Sequence, residues 1–178
     1  MIKKKTDPCK KSDVSRKGRS FMSSMRRKDR EEGEDFARSI VTKCEYGVLA
    51  TVNEDSTPYC IPISPVLCGN VIYFHCALEG KKTDNLARQP QVCLTCVGDT
   101  RLIPEAFTTA YESAVVCGRA EMVEDEVEKR FALTKLCEKY AAENMAQVPA
   151  AIERSLARTG ICKITVTALT GKAKRISG

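Results

Sequence analysis

The 178-residue chain contains no tryptophan, one histidine and only 6% aromatic residues. With His75 as the only imidazole, a Ser-His-Asp site has a single candidate base, and a histidine-rich zinc site cannot be built. No Gly-x-Ser-x-Gly elbow, His-Glu-x-x-His, Gly-x-x-x-x-Gly-Lys-Ser/Thr loop or dinucleotide-type glycine fingerprint occurs. These absences exclude the common side-chain hydrolases and the P-loop enzymes. They leave room for an enzyme whose bound cofactor carries the reaction. Apolar runs such as Val71 to Phe74 are far too short to span a bilayer, so no membrane segment is expected. Thr6-Asp7-Pro8 follows the opening lysines where a signal peptide would need an apolar stretch, so no export signal is expected.

Ten cysteines are present in the 178 residues, fewer than the roughly 8–10% of a disulfide scaffold. Together with the missing signal, this points to thiols in a reducing cytoplasm. Cys93-Leu-Thr-Cys96 is the one C-x-x-C. It falls in a run that reads as a strand, where residues three apart point to opposite faces. No metal site is expected there, and buried structural thiols are the simpler reading.

Charge is distributed unevenly. The net charge is +6, but residues 1–30 carry 12 Lys or Arg against Asp7, Asp13 and Asp29, and the remainder has a net charge of −3. Residues 1–24 therefore read as a basic, disordered tail, and 25–178 as one slightly acidic domain. A body of that sign is a poor nucleic-acid surface.

Asp29 to Lys43 reads as an amphipathic helix, with Phe36, Ile40 and Val41 on one side. Gly47 to Val52 and Thr57 to Val66 read as strands around the polar turn Asn53-Glu54-Asp55-Ser56. Pro58, Pro62 and Pro65 mark the second strand as an edge or a broken pairing. After a turn at Cys68-Gly69-Asn70, the continuous run Val71 to Cys76 predicts a well-buried strand. A short helix over Glu79 to Arg88, a strand over Pro90 to Val97, and a long strand over Phe107 to Val123, bent near Glu112 and Gly118, follow. Two helices come next, one carrying Leu133, Leu136, Cys137 and Tyr140, the other Ile152 and Leu156, with Pro149 between them. The last strand alternates, with Cys162, Ile164, Val166 and Ala168 on one face and Lys163, Thr165 and Thr167 on the other. About six strands in successive hairpins, with helices at the periphery, predict a mainly β antiparallel barrel.

Chemistry concentrates between Tyr73 and Leu86. A buried strand ends at His75, Gly80 frees the backbone, and Lys81 and Lys82 open a helix. Cations at a helix N-terminus are disfavoured by about 0.3–1 kcal/mol each. Two adjacent lysines there suit an anion resting on the exposed N–H groups. The same pattern also fits two lysines extending into water. His75 fits either a ligand contact or a hydrogen-bonded core histidine.

Read with Met25-Arg-Arg-Lys-Asp-Arg30, Tyr46-Gly-Val-Leu-Ala-Thr-Val52, Pro58-Tyr59 and Ser113-Ala-Val-Val-Cys-Gly118, the His75 to Leu86 segment places the chain near a known family. From about Met25 to Arg175 it resembles the flavin-binding split-barrel proteins related to pyridoxamine phosphate oxidase, and more closely their nitroimidazole-resistance (Nim) branch. The resemblance implies a six-stranded antiparallel split β-barrel and a homodimer with FMN at the subunit interface. It implies that Lys81 and Lys82, entered through Gly80, hold the FMN phosphate. Cys60, Ile61, Pro62, Ile63 and Ser64 would lie along the flavin and ribityl chain, with Phe74, His75 and Cys76 on the neighbouring strand. Ser113 would supply a polar cofactor contact, and His75 would orient or protonate a bound acceptor.

Two departures shape the expected activity. Ile61 stands where pyridoxamine phosphate oxidases carry an arginine, and no tryptophan is available beside the flavin, which argues against vitamin B6 oxidation. Cys76 stands where Nim-like proteins more often have serine. The implied activity is an FMN-dependent oxidoreductase that passes electrons from reduced FMN to a small electron-poor acceptor such as a nitroimidazole. Two alternatives stand beside it: a non-catalytic flavin or haem binder on the same barrel, with His75 as the axial ligand of a haem, and a basic-tailed nucleic-acid protein, which the acidic body disfavours.

Overall fold

The computed structural model describes residues 25–176, and the basic stretch 1–24 expected to be disordered lies outside them. A single turn over Lys28–Arg30 leads to strand β1 (Glu31–Glu32) and helix α1 (Glu34–Lys43). The helix expected from Asp29 thus begins only at Glu34. Glu31 and Glu32 are instead drawn into sheet pairing with Lys172 and Gly171. Strands β2 (Gly47–Val52), β3 (Pro58–Ile63), β4 (Val66–Cys68) and β5 (Val71–Cys76) follow, then helix α2 (Lys81–Arg88). The chain continues through β6 (Gln91–Ile103), β7 (Thr108–Met122), helices α3 (Glu126–Tyr140) and α4 (Val148–Ser155), and β8 (Gly160–Lys174).

All pairs are antiparallel, in the order β3-β2-β6-β7-β8-β5-β4, with β1 on the part of β8 that β5 does not reach. Six strands are long and two, β1 and β4, are short additions. The sheet is open, as in a split barrel, with β3 and β4 as its edges. Pro58 and Pro62 sit on edge strand β3, where a missing N–H costs least, and Pro65 lies in the break before β4.

Two irregularities curl the sheet. The β6–β7 register slips between Val97 and Thr100, opposite Glu112. The β7–β8 register slips at Cys117/Gly118, which pair with Ala168 and Val166 and leave Thr167 as the extra residue. The bends expected near Glu112 and Gly118 therefore have a structural cause. The slip also reverses the alternation of β8. Cys162 and Ile164 are buried before it, Gly171 and Ala173 after it, so Ala168 does not continue the face of Cys162. Gly118 is required at this crossing, because a Cβ there would lie 2.4 Å from Ile164 Cγ2 and 2.6 Å from the Thr165 carbonyl oxygen.

The main core joins Leu49, Ile72, Phe74, Leu94, Val116 and Ile164 to Ile40 and Val41 of α1 and Leu86 of α2. A second cluster lies under α3, where Ala132 and Leu136 meet Tyr73 and Ile161. Strand β5 is buried on both faces, which explains its continuous apolar run: Ile72 and Phe74 enter one cluster and Tyr73 the other. Tyr73 also donates a 2.8 Å hydrogen bond to Glu128 and meets Phe131 edge-on at 6.1 Å. Asp125 caps α3 by accepting from the Glu128 N–H at 2.7 Å. Cys93 and Cys96 occupy opposite faces of β6, with Cys96 buried beside Leu94. No helix among the described residues is long and apolar enough to cross a membrane.

Candidate functional site

Helix α2 closes one end of the main core with Leu86 and presents its N-terminus at the rim. Gly80 precedes it at φ 139°, ψ 172°, a backbone state open mainly to glycine, and an added Cβ would meet nothing within 4 Å. The helix therefore begins at Lys81, later than the Glu79 expected from sequence. No side chain caps it, so its first N–H groups have no intrahelical partner. The Gly80 carbonyl accepts from the Thr83 hydroxyl at 2.6 Å and the Asp84 N–H at 3.0 Å, which fixes the turn.

Both lysines lie over aromatic rings. Lys81 Nζ is 4.7 Å from the centre of the Tyr59 ring on β3, and Lys82 Nζ is 5.1 Å from that of Phe74 on β5. Such contacts steer a cation without neutralising it. Among the described residues neither lysine forms an ion pair, although Asp55 on the β2–β3 turn feels the charge of Lys81. Lys82 also faces two buried thiols. Burial pushes Cys76 up, and Lys82 opposes that shift. Burial pushes Cys162 up to about 12, with Cys76 adding to it and Lys82 again opposing.

A buried polar network, not evident in the sequence, holds α2 in place. Asn85 is 2% exposed. Its amide donates to Thr51 Oγ1 at 3.1 Å and Asn53 Oδ1 at 3.0 Å, and its oxygen accepts from Arg88 at 2.9 Å. The network ties the helix to β2 and its turn, and so fixes Lys81 and Lys82 relative to β3. The available signal was an asparagine beside Leu86 on the inward helix face. Tyr59 was likewise legible only as a strand residue.

The remaining expected site residues divide by face and by end. Ile61 and Ile63 turn inward with Tyr59, whereas Cys60 and Pro62 are exposed on the outer face, and Ser64 follows at the strand end. Phe74 and Cys76 share the inward face with Lys82. His75 is exposed on the opposite face of β5, the face of Tyr73. Ser113 lies opposite Val97, and its hydroxyl donates to the Lys172 carbonyl at 3.4 Å. Met122 stands across β8 from Phe74, the ring beneath Lys82, and Ser113 is roughly 30 Å along β7 from Met122. One chain thus brings together Gly80, Lys81, Lys82, Phe74, Cys76 and β3, but not Ser113, and His75 faces away from Lys82.

This arrangement can bind an anion at the helix start and place a flat molecule along edge strand β3, whose outer backbone groups have no sheet partner among the described residues. A flavin phosphate fits that donor set.

Residues 34–173 match the family model described as pyridoxamine 5'-phosphate oxidase. Among solved structures, the chain is similar to a candidate 5-nitroimidazole antibiotic resistance protein from Bacteroides thetaiotaomicron, with 26% identity over 80% of this chain and 84% of that one (TM-score 0.67). It is also similar to a conserved hypothetical protein from Mycobacterium tuberculosis, with 16% identity over 87% of this chain and 98% of that one (TM-score 0.72). A third is an FAD and haem binding protein from Mycobacterium smegmatis, with 16% identity over 83% of this chain and 74% of that one (TM-score 0.72). No curated protein matches. The family match spans the sheet from α1 to the end of β8, including the helix start that gathers the two lysines, and the chain belongs to the pyridoxamine 5'-phosphate oxidase family.

Proposed function

We propose that the chain is an FMN-dependent oxidoreductase that reduces a small electron-poor acceptor such as a nitroimidazole. The observation that carries this reading is the start of α2, where Lys81 and Lys82 lie beside uncapped N–H groups and have no ion-pair partner among the described residues. A phosphate there would accept charge-assisted bonds from both ammonium groups and from the helix backbone. When bound, reduced FMN supplies the electrons. The outer backbone groups of Cys60 to Ser64, at the sheet edge, hold the ring system and ribityl chain. Tyr59 and Phe74 hold the lysines in place. His75, exposed at the end of β5, orients the acceptor or gives it a proton. The similarity to a nitroimidazole-resistance candidate supports the acceptor class.

The functional unit is a homodimer in this reading. The outer sheet face exposes Val48 and Val97 at 39% and 51% beside Cys60 and Pro62, an apolar surface that a second copy would bury. Ser113, remote from the lysines in its own chain, would reach the cofactor of the other copy. The described cysteines are all free thiols, which suits a cytoplasmic setting.

The test is the visible spectrum of the purified protein after addition of FMN and desalting, followed by anaerobic reduction and addition of a nitroimidazole. Retained flavin bands and reoxidation by the acceptor are expected. Flavin retained without reoxidation would leave a binding protein. A haem band in place of flavin would favour the reading in which exposed His75 is an axial ligand.

A further inference from the structure

A cavity lies away from α2. It has a volume of about 340 Å³ and sits between the β6–β7 ribbon and the C-terminal end of β8. That volume suits a small metabolite. Its charged and polar walls are Asp99, Arg101, Tyr111, Glu112, Lys174 and Arg175.

The charges in this cavity are not equally free. Both carboxylates are engaged by Lys43, with Asp99 at 2.7 Å and Glu112 at 2.5 Å. Arg175 is paired with Glu32. Lys174 donates to the Thr108 hydroxyl, a neutral acceptor that leaves its charge uncompensated. The Arg101 side chain forms no hydrogen bond or ion pair among the described residues. Burial acts to raise the Tyr111 phenol, but the nearby charges of Arg30 and Lys172 outweigh it and hold the phenol below its ordinary range. Two more cations therefore stand behind the tyrosine. A cationic ligand would meet carboxylates already neutralised by Lys43, and an apolar one would find only Ala110 and Ile176. An oxyanion would find a guanidinium fork with all its donors unused.

We propose that this cavity binds a small organic anion through a carboxylate or phosphate group, with the Arg101 guanidinium as its principal ligand and Lys174 as the second. The proposal does not depend on the flavin reading, because none of these residues belongs to the α2 site.

The experiment is calorimetric titration of the full chain at low ionic strength with succinate and, separately, with inorganic phosphate. At least one probe should bind, and the one that binds better assigns the carboxylate or the phosphate class. Arg101→Ala should weaken that binding by about ten- to a hundredfold, and Lys174→Gln should weaken it by less. Arg101 is exposed and unpaired, so its variant should keep the wild-type thermal midpoint. Lys82→Ala removes a phosphate ligand at α2, and the Arg101-dependent binding should persist in that variant. Failure of both probes to bind, wild-type binding by Arg101→Ala, or loss of the Arg101-dependent binding in Lys82→Ala would each overturn the proposal, the last by moving the anion to α2.

Discussion

Lys43, at the ribbon end of the sheet, holds Asp99 and Glu112 at 2.7 and 2.5 Å, whereas Lys82, at the α2 end, lies 5.1 Å from the Phe74 ring and pairs with no carboxylate among the described residues. The first lysine is neutralised by the fold. Its hydrogen bonds to Asp99 and Glu112 hold it charged, and they pin α1 to the bulge between β6 and β7. The second lysine is placed by the fold but left for an anion to neutralise. Lys43 should therefore matter little for flavin binding at α2, and Lys82 little for stability. Uncompensated cations at a helix N-terminus oppose folding slightly, a cost that a bound anion removes.

Substitutions can break or sharpen this contrast. The largest expected effect comes from a break between the two ends. Gly118→Val would drive a side chain into Ile164 and the Thr165 carbonyl and should cost about 3 kcal/mol, read as a lowered urea midpoint. Asn85→Ala acts at the α2 end alone. It strands the Thr51, Asn53 and Arg88 partners and should cost about 1–3 kcal/mol. It should also weaken FMN binding by loosening the helix, and equal affinity with lower stability would separate anchoring from binding.

The buried thiol beside Lys82 gives a pH signature. Burial lifts Cys162 from 9.0 to about 12. The unfolded chain therefore loses this proton first as pH rises. The contribution is fully present below pH 9 and disappears between pH 9 and about pH 12, at about 1.4 kcal/mol per pH unit. Denaturation of Cys162→Ala across that window should show a shallower alkaline loss than wild type, and parallel curves would contradict the assignment. The smallest effect belongs to the other end. Lys43 is 41% exposed, so Lys43→Ala should cost less than about 1 kcal/mol, with a difference that shrinks in salt.

Much of the sheet was legible because local chemistry sets it. The Asn53 to Ser56 turn, the prolines of β3 and the apolar run of β5 each announce their element. Gly80 followed by two lysines marked the helix start and the candidate site together. The features that escaped depend on pairing between distant segments. Glu31 and Glu32 look helical by sequence and become a strand because the end of β8 offers them backbone partners. The face of Ala168 depends on the slip at Thr167, which is set by where β7 crosses β8. The extension of β6 to Ile103 carries exposed charged residues and gains its strand form from β7. Asn85 is buried because β2 and its turn close over it, a contact between distant segments.

The most direct test of the account is the dissociation constant of FMN for wild type, Lys82→Ala and Lys43→Ala, measured by quenching of flavin fluorescence. Loss of a charge-assisted phosphate bond is worth about 1.5–3 kcal/mol, so Lys82→Ala should bind roughly ten- to a hundredfold more weakly. Lys43→Ala should bind as wild type does. Equal affinity in all three proteins would place the flavin phosphate elsewhere and contradict the role assigned to the start of α2.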